Sequence, residues 1–301
     1  MILKQYINGN TLVTLYDNGT REAFTEDDEF RLEYPLNIDI RLSSYCPYGK
    51  NPKTNKAICS FCHESALADP SLKNTDLSLL KQRLSEIPKE IGLELAVGIN
   101  YLGTENTEFL RWVRERDMVV NVTINSLSLS ESSVQLVREL LDTKVIQGLG
   151  VSYRPNVELP RAIVEHPNTV VHVIAGIDNI IDVHKLYKQG VKKILILGEK
   201  DFGYNKGNVN LMSESHYSWR KLLPKLLNVF EIVSFDNLAL EQLDIKNTLD
   251  IKNWDTFYQG EYSFYINAVT NSYSPSSRSS DIAPMSSLTI KEYFYETNGK
   301  T

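Results

Sequence analysis

Seven short apolar runs recur along this chain: Leu36–Ile40, Leu93–Val97, Met118–Ile124, Val145–Val151, Thr169–Ala175, Val191–Leu197 and Val229–Phe235. Each is rich in Val, Ile or Leu and flanked by turn residues, the pattern of a strand buried on both faces. Stretches with helical spacing lie between them. Leu77, Leu80, Leu84 and Ile87 follow the capping candidates Asn74 and Thr75, and Thr104 precedes Phe109, Leu110 and Val113. Asp178 precedes Ile180, Val183 and Tyr187, with Gly190 placed to end that helix. Repeated strand–helix units imply a parallel sheet with right-handed crossovers. Six or seven units exceed what a small doubly wound domain needs. The expected fold is therefore α/β, a partial (β/α)6-type parallel barrel over residues 35–235.

The flanking segments read differently. Residues 1–34 carry turn signals at Asn8-Gly9-Asn10 and Asn18-Gly19 around the β-branched stretch Thr11–Tyr16, which predicts an N-terminal β-hairpin extension. Residues 236–301 are rich in Asn, Tyr and Ser and read as a C-terminal extension, suited to closing over the active site as a flap. Aromatic and apolar residues (Phe257, Tyr258, Phe264, Tyr265, Ile266) precede its Ser-rich piece, Ser274–Ser280, and argue against wholesale disorder.

Of 301 residues, 42% are hydrophobic and 23% charged, enough for a sizeable core and ordinary for a soluble protein. A net charge of −6 with both signs interspersed gives no footprint for duplex nucleic acid. No apolar run is long enough to span a bilayer, and no basic-then-apolar pattern opens the chain. A reducing, cytoplasmic location is expected.

All three cysteines fall in one 17-residue window: Cys46, then twelve residues to Cys59, then two to Cys62. An odd, clustered set does not suit a disulfide framework and points to a metal. Zinc would need a fourth ligand, and the adjacent His63 would have difficulty facing the same ion as Cys62. Buried, unliganded thiols are a further reading, although the polar loop Tyr48–Lys56 is unlike a core segment. Thiolates also hold iron–sulfur clusters, and the loop after the first strand is where α/β barrels place active-site groups.

The segment from Leu36 to Cys46, followed by Ile58-Cys59-Ser60-Phe61-Cys62-His63-Glu64, resembles the cluster-binding region of radical S-adenosylmethionine (radical SAM) enzymes. The resemblance extends from Pro35 to about Phe235 through the strand–helix order. Two departures stand out. The family usually has three residues between its first two cysteines, where this chain has twelve. Its second strand normally ends in a Gly-Gly-Glu-like motif that receives the methionyl amino group. Here Ala96-Val97-Gly98-Ile99-Asn100-Tyr101 keeps one glycine and lacks the acid.

The resemblance implies that Cys46, Cys59 and Cys62 ligate a 4Fe-4S cluster whose fourth iron binds the amino and carboxylate groups of SAM. Phe61 would lie beside the adenine, and the backbone at Gly98 and Asn100 would accept from the amino group. Asn125, Ser152 and Arg154 would serve the ribose and carboxylate; Ile174, Gly176 and Leu197 would contact adenine. An electron donor such as a flavodoxin or ferredoxin would reduce the cluster. Cleavage of SAM would yield a 5′-deoxyadenosyl radical that abstracts hydrogen from an unidentified small-molecule, nucleotide or peptide substrate. No cysteine is left for a second cluster or a thiol hydrogen donor. The alternative is a non-catalytic or regulatory barrel whose loop holds zinc or an iron–sulfur cluster structurally. Among other polar residues, His172 suits a core or barrel-lumen position, while Asp236-Asn237 suits either helix capping or the site mouth.

Overall fold

In the computed structural model, which describes residues 1–252 and 262–298, each of the seven apolar runs contributes a strand to a single sheet. They are β4 (Asn37–Arg41), β6 (Glu94–Ile99), β7 (Val119–Asn125), β8 (Gly148–Ser152), β9 (Thr169–Ile174), β10 (Lys193–Leu197) and β11 (Ile232–Phe235). Neighbours in that series pair in parallel, with Ile38 opposite Leu95 and Arg41 opposite Gly98. The main connecting helices are α1 (Ser78–Ser85), α2 (Thr104–Glu115), α3 (Glu131–Asp142), α4 (Arg161–Val164), α5 (Ile180–Lys185) and α6 (Glu214–Leu226).

One face of the sheet is apolar. Ile38, Ile40, Leu95, Val97, Val122, Ile124, Val151, Val173, Ile194 and Ile196 form a continuous core with Leu84, Phe109, Leu110, Val113, Leu140, Val183, Trp219 and Leu223 from the helices. Each such side chain removed from water contributes roughly 1.5–3 kcal/mol before entropy is counted. The alternate residues carry the opposite character: Asp39, Glu94, Asn121, Thr123, Asn125, Ser152 and His172, none of them fully buried. The expectation of strands buried on both faces is thus corrected. Helices cover one face, and the other is a polar trough.

Local chemistry also moves three caps. Asn74 Nδ2 donates to Ala268 O rather than capping α1, and Asp76 Oδ1 accepts from Ser78 N at 3.0 Å instead. Thr104 is the first residue of α2, behind Gly103. Asn179 caps α5, its side-chain oxygen accepting from Ile181 N, while Asp178 turns back to accept from Ile174 N at 2.6 Å. Gly190, at φ +90°, ends the turn after α5 as expected.

The N-terminal segment is a three-stranded antiparallel meander: β1 (Ile2–Asn8), β2 (Thr11–Tyr16) and β3 (Arg21–Phe24). It packs under the N-terminal ends of the large sheet. Gln147 and Asn168 side chains donate to Asp17 O, and Arg21 pairs with Glu94 at 3.2 Å.

Three strands that follow β11 join the sheet. After α7 (Asn237–Gln242) and α8 (Ile245–Thr248), β12 (Ser263–Asn267) runs parallel to β4 on the side away from β6. Then β13 (Ser272–Ser274) and β14 (Ala283–Pro284) continue antiparallel, before α9 (Ile290–Asn298). Among the described residues the sheet has ten strands, with β11 and β14 as its outer members. Phe264, Tyr273 and Tyr293 pack ring against ring behind it, and the Ser-rich piece connects β13 to β14. Phe257 and Tyr258 lie outside the described residues.

Candidate active site

With the meander at one end, the strands' C-terminal ends are left to build a cavity of about 240 Å³. Cys46, Cys59 and Cys62 all line it. The chain reaches it from β4 through a short extended segment, β5 (Tyr45–Lys50), which begins at the first cysteine's neighbour. The long excursion to Cys59 is internally bonded: Asn51 N donates to Lys56 O at 2.8 Å, and Ile58 N to Tyr48 O at 3.3 Å. Tyr48 Oη donates to Leu127 O at 2.6 Å, tying the loop to the end of β7. The far side is clamped by Tyr204 N donating to Cys62 O at 3.0 Å. Gly203 makes that approach feasible, because a Cβ there would lie 2.3 Å from His63 O and 2.6 Å from Cys62 O.

Each sulfur meets an N–H donor. Burial pushes the Cys46 thiol up to about 11, while the Tyr48 N–H opposes it; the neighbouring Cys62 and Cys59 add repulsion. Burial also raises Cys62, opposed by the N–H groups of Ala66 and Glu64. Asn125 Nδ2 points to Cys59 Sγ at 4.0 Å. Donors aimed at sulfur favour thiolate over thiol, and a cation bound there would do so far more strongly. Cysteine sulfurs are the ligand type that iron–sulfur clusters take, and three of them face this one cavity. Among the described residues, no three His, Cys, Asp or Glu side chains are grouped so as to hold a single metal ion.

The strand ends supply the remaining walls: Gly98 near the end of β6 and Asn100 just past it, Asn125 from β7, Ser152 from β8, Ile174 from β9 and Leu197 from β10. Phe61 and Arg154 also line the cavity, with the guanidinium 4.8 Å from the ring centroid. Arg154 Nη1 donates to Tyr153 O, and its Nε is buried without a partner. Asp236 and Asn237 lie off the cavity lining, and of the cluster and SAM residues expected from the sequence so does Gly176. Its φ of +93° turns the chain beyond β9, where a Cβ would lie 2.2 Å from the buried His216 ring.

Several residues join the site without having been singled out for it. His63 lines the cavity edge-on to Phe202, with Nε2 3.4 Å from Lys200 Nζ. Burial, then Lys200 and Arg41, pull its pKa down to about 3, so it stays neutral. Lys200 also donates to Ser277 Oγ at 3.2 Å, joining the Ser-rich piece to the end of β10. Glu64 lines the cavity beside Asn100. His172 lies across Gly150, where a Cβ would be 2.5 Å from the ring. It borders both this cavity and a second of about 430 Å³ further down the polar face, and burial lowers its pKa to about 4. Asp236 caps α7 by accepting from Ala239 N and holds Gly198 N at 2.9 Å. His63 and Glu64 could have been found from adjacency to Cys62; Lys200 had no such signal.

Among the described residues, no helix is long and apolar enough to cross a membrane. No protein-family model matches the chain, and no curated protein matches it in sequence. Its fold does match solved structures. Streptococcus suis SuiB bound to precursor peptide SuiA superposes with a TM-score of 0.60 at 12% identity, over 89% of this chain and 67% of that one. SuiB bound to S-adenosylmethionine gives 0.57 at 12% identity, over 89% and 68%. A further SuiB structure gives 0.59 at 12% identity, over 88% and 66%. The chain spans about two thirds of SuiB's length and shares with it a fold built on a large parallel sheet.

Proposed function

We propose that this chain is a radical SAM enzyme built on a partial (β/α)6-type barrel, with a single 4Fe-4S cluster on Cys46, Cys59 and Cys62. The observation that carries this reading is the convergence of three N–H-supported cysteine sulfurs and five strand ends on one cavity. The fold likeness to SuiB in complex with S-adenosylmethionine supports it. When bound, the cluster and SAM supply a strongly oxidising organic radical; the protein binds, orients and excludes water. Phe61, stacked under Arg154, offers a flat apolar face for the adenine. Ser152 and Asn125 offer hydrogen-bonding groups to the ribose, and Arg154 Nε is free to donate to a carboxylate. Ile174 and Leu197 keep that side of the cavity apolar.

A peptide is the favoured substrate class, because the matching fold is seen in SuiB bound to a precursor peptide. The polar trough below the cavity, lined by Thr123, Asn121 and His172, offers an extended surface suited to polar backbone. Electrons would come from a flavodoxin or ferredoxin. Anaerobic reconstitution tests the reading directly: about four irons per chain and 5′-deoxyadenosine on reduction with SAM are expected. A colourless protein carrying one zinc per chain refutes it.

A further inference from the structure

The end of β6 brings Gly98 and Asn100 to the cavity but no acidic side chain. The structure delivers a carboxylate there from another element. Glu64 follows Cys62 by two residues, so its Cα lies within about 8 Å of that cysteine's. It lines the same cavity as Gly98 and Asn100, with its side chain 22% exposed.

Two groups fix its position. Arg41, at the end of β4, donates through Nη2 to Glu64 O at 3.0 Å, and its Nε lies 3.7 Å from Oε2. Asn100 Nδ2 donates to the same Oε2 at 3.4 Å. Arg41 is itself held by Ser43 O and Ser44 Oγ, so its guanidinium is a brace. Both contacts fall on Oε2. Among the described residues Oε1 has no hydrogen-bond partner, which leaves one carboxylate oxygen for a ligand.

We propose that Glu64 is the acceptor for the amino group of bound SAM, replacing from the cysteine loop the acid that β6 lacks. The assignment rests on reading this cavity as the SAM site. An ammonium donating to a carboxylate makes a charge-assisted hydrogen bond, about twice as strong as a neutral one. An amino group bound at the cluster must lie near the cysteine loop, where Glu64 stands. Arg41 compensates the carboxylate when no ligand is bound, so the acid is not stranded beside three sulfurs.

The test is equilibrium binding to cluster-loaded protein for wild type, Glu64→Gln and Glu64→Asp. Two ligands are compared: SAM, and 5′-methylthioadenosine, which keeps the adenosine and thioether but lacks the amino-acid portion. Glu64→Gln should weaken SAM roughly 10- to 100-fold while leaving methylthioadenosine within about twofold. Glu64→Asp should recover part of the loss. Iron content and thermal unfolding of each variant separate a lost contact from a collapsed loop. Unchanged SAM affinity in Glu64→Gln overturns the proposal, as does equal weakening of both ligands. A wild-type protein that binds no SAM overturns the cofactor reading itself, and this assignment with it.

Discussion

Asp178 links the stability of this fold to pH in a way that can be measured. It sits 1% exposed at the turn after β9, accepting from Ile174 N at 2.6 Å, with its own backbone carbonyl taking the Trp219 Nε1 proton at 2.8 Å. Burial raises its pKa from 3.8 to about 6, more than the Ile174 N–H and the nearby Arg154 lower it. For an acid whose folded pKa exceeds its unfolded value, the stabilising state is the protonated one. Its contribution is complete below about 3.8 and is lost as pH rises through about 6. The loss amounts to roughly 3 kcal/mol at most, with about 1.5 kcal/mol of it falling between pH 5 and pH 8. Asp178→Asn keeps an oxygen for Ile174 N and removes the charge. Relative to wild type it should gain about 1–1.5 kcal/mol between pH 5 and pH 8, a few degrees in Tm. Any fixed offset from the new amide, which occupies the place of the unpartnered Oδ1, cancels in that comparison. Paired thermal or urea unfolding across the interval is the assay. A wild type–variant difference that does not change with pH refutes the argument.

Three further changes probe the cavity and its supports. Gly176→Ala combines a φ of +93° with a Cβ 2.2 Å from the His216 ring, and should cost roughly 2–4 kcal/mol in urea unfolding. Gly203→Ala drives a methyl into His63 O and Cys62 O, so reconstituted protein should retain well under half the wild-type iron while the apo form still melts cooperatively. Normal iron loading would show that this clamp does not shape the loop. Asn8→Ala removes three hydrogen bonds, from Asn8 Nδ2 to Tyr34 O and from Glu33 N and Tyr34 N to Asn8 Oδ1. It should destabilise the meander by about 2–3 kcal/mol, read as faster amide exchange in residues 2–24 than in the large sheet.

Much of the architecture was legible because a parallel strand writes its core-facing residues locally. Val, Ile and Leu at alternate positions of all seven runs were visible without knowing their partners. What misled was the other half of each strand. Ala96, Gly98, Gly148, Gly150 and Val170 are small or apolar enough to make a strand look buried on both sides, yet they face the trough with Asn121, Thr123 and His172. The strand-end positions Asn100, Asn125, Ser152, Arg154, Ile174 and Leu197 were reachable from the strand boundaries, and they do converge. Gly176 did not follow, because one positive φ redirects the chain just past β9. Lys200 and Ser277 meet only through tertiary packing, and β12 carries no local sign that its partner is the first strand of the series.

That last pairing orders events during synthesis. β4 leads directly into the cysteine loop, yet its outer edge stays unpaired until Ser263–Asn267 has been made, more than two hundred residues later. A nascent chain emerging from the ribosome therefore presents the edge of the strand that leads into the cysteine loop as a template for stray association. Such a long-range parallel contact is also slow to form, because the loop-closure entropy precedes any gain from pairing. The cysteine loop can be complete well before the sheet that braces it is finished. Under the proposed cluster assignment, whether the cofactor is loaded before or after the sheet closes is set by the rate of that long-range pairing.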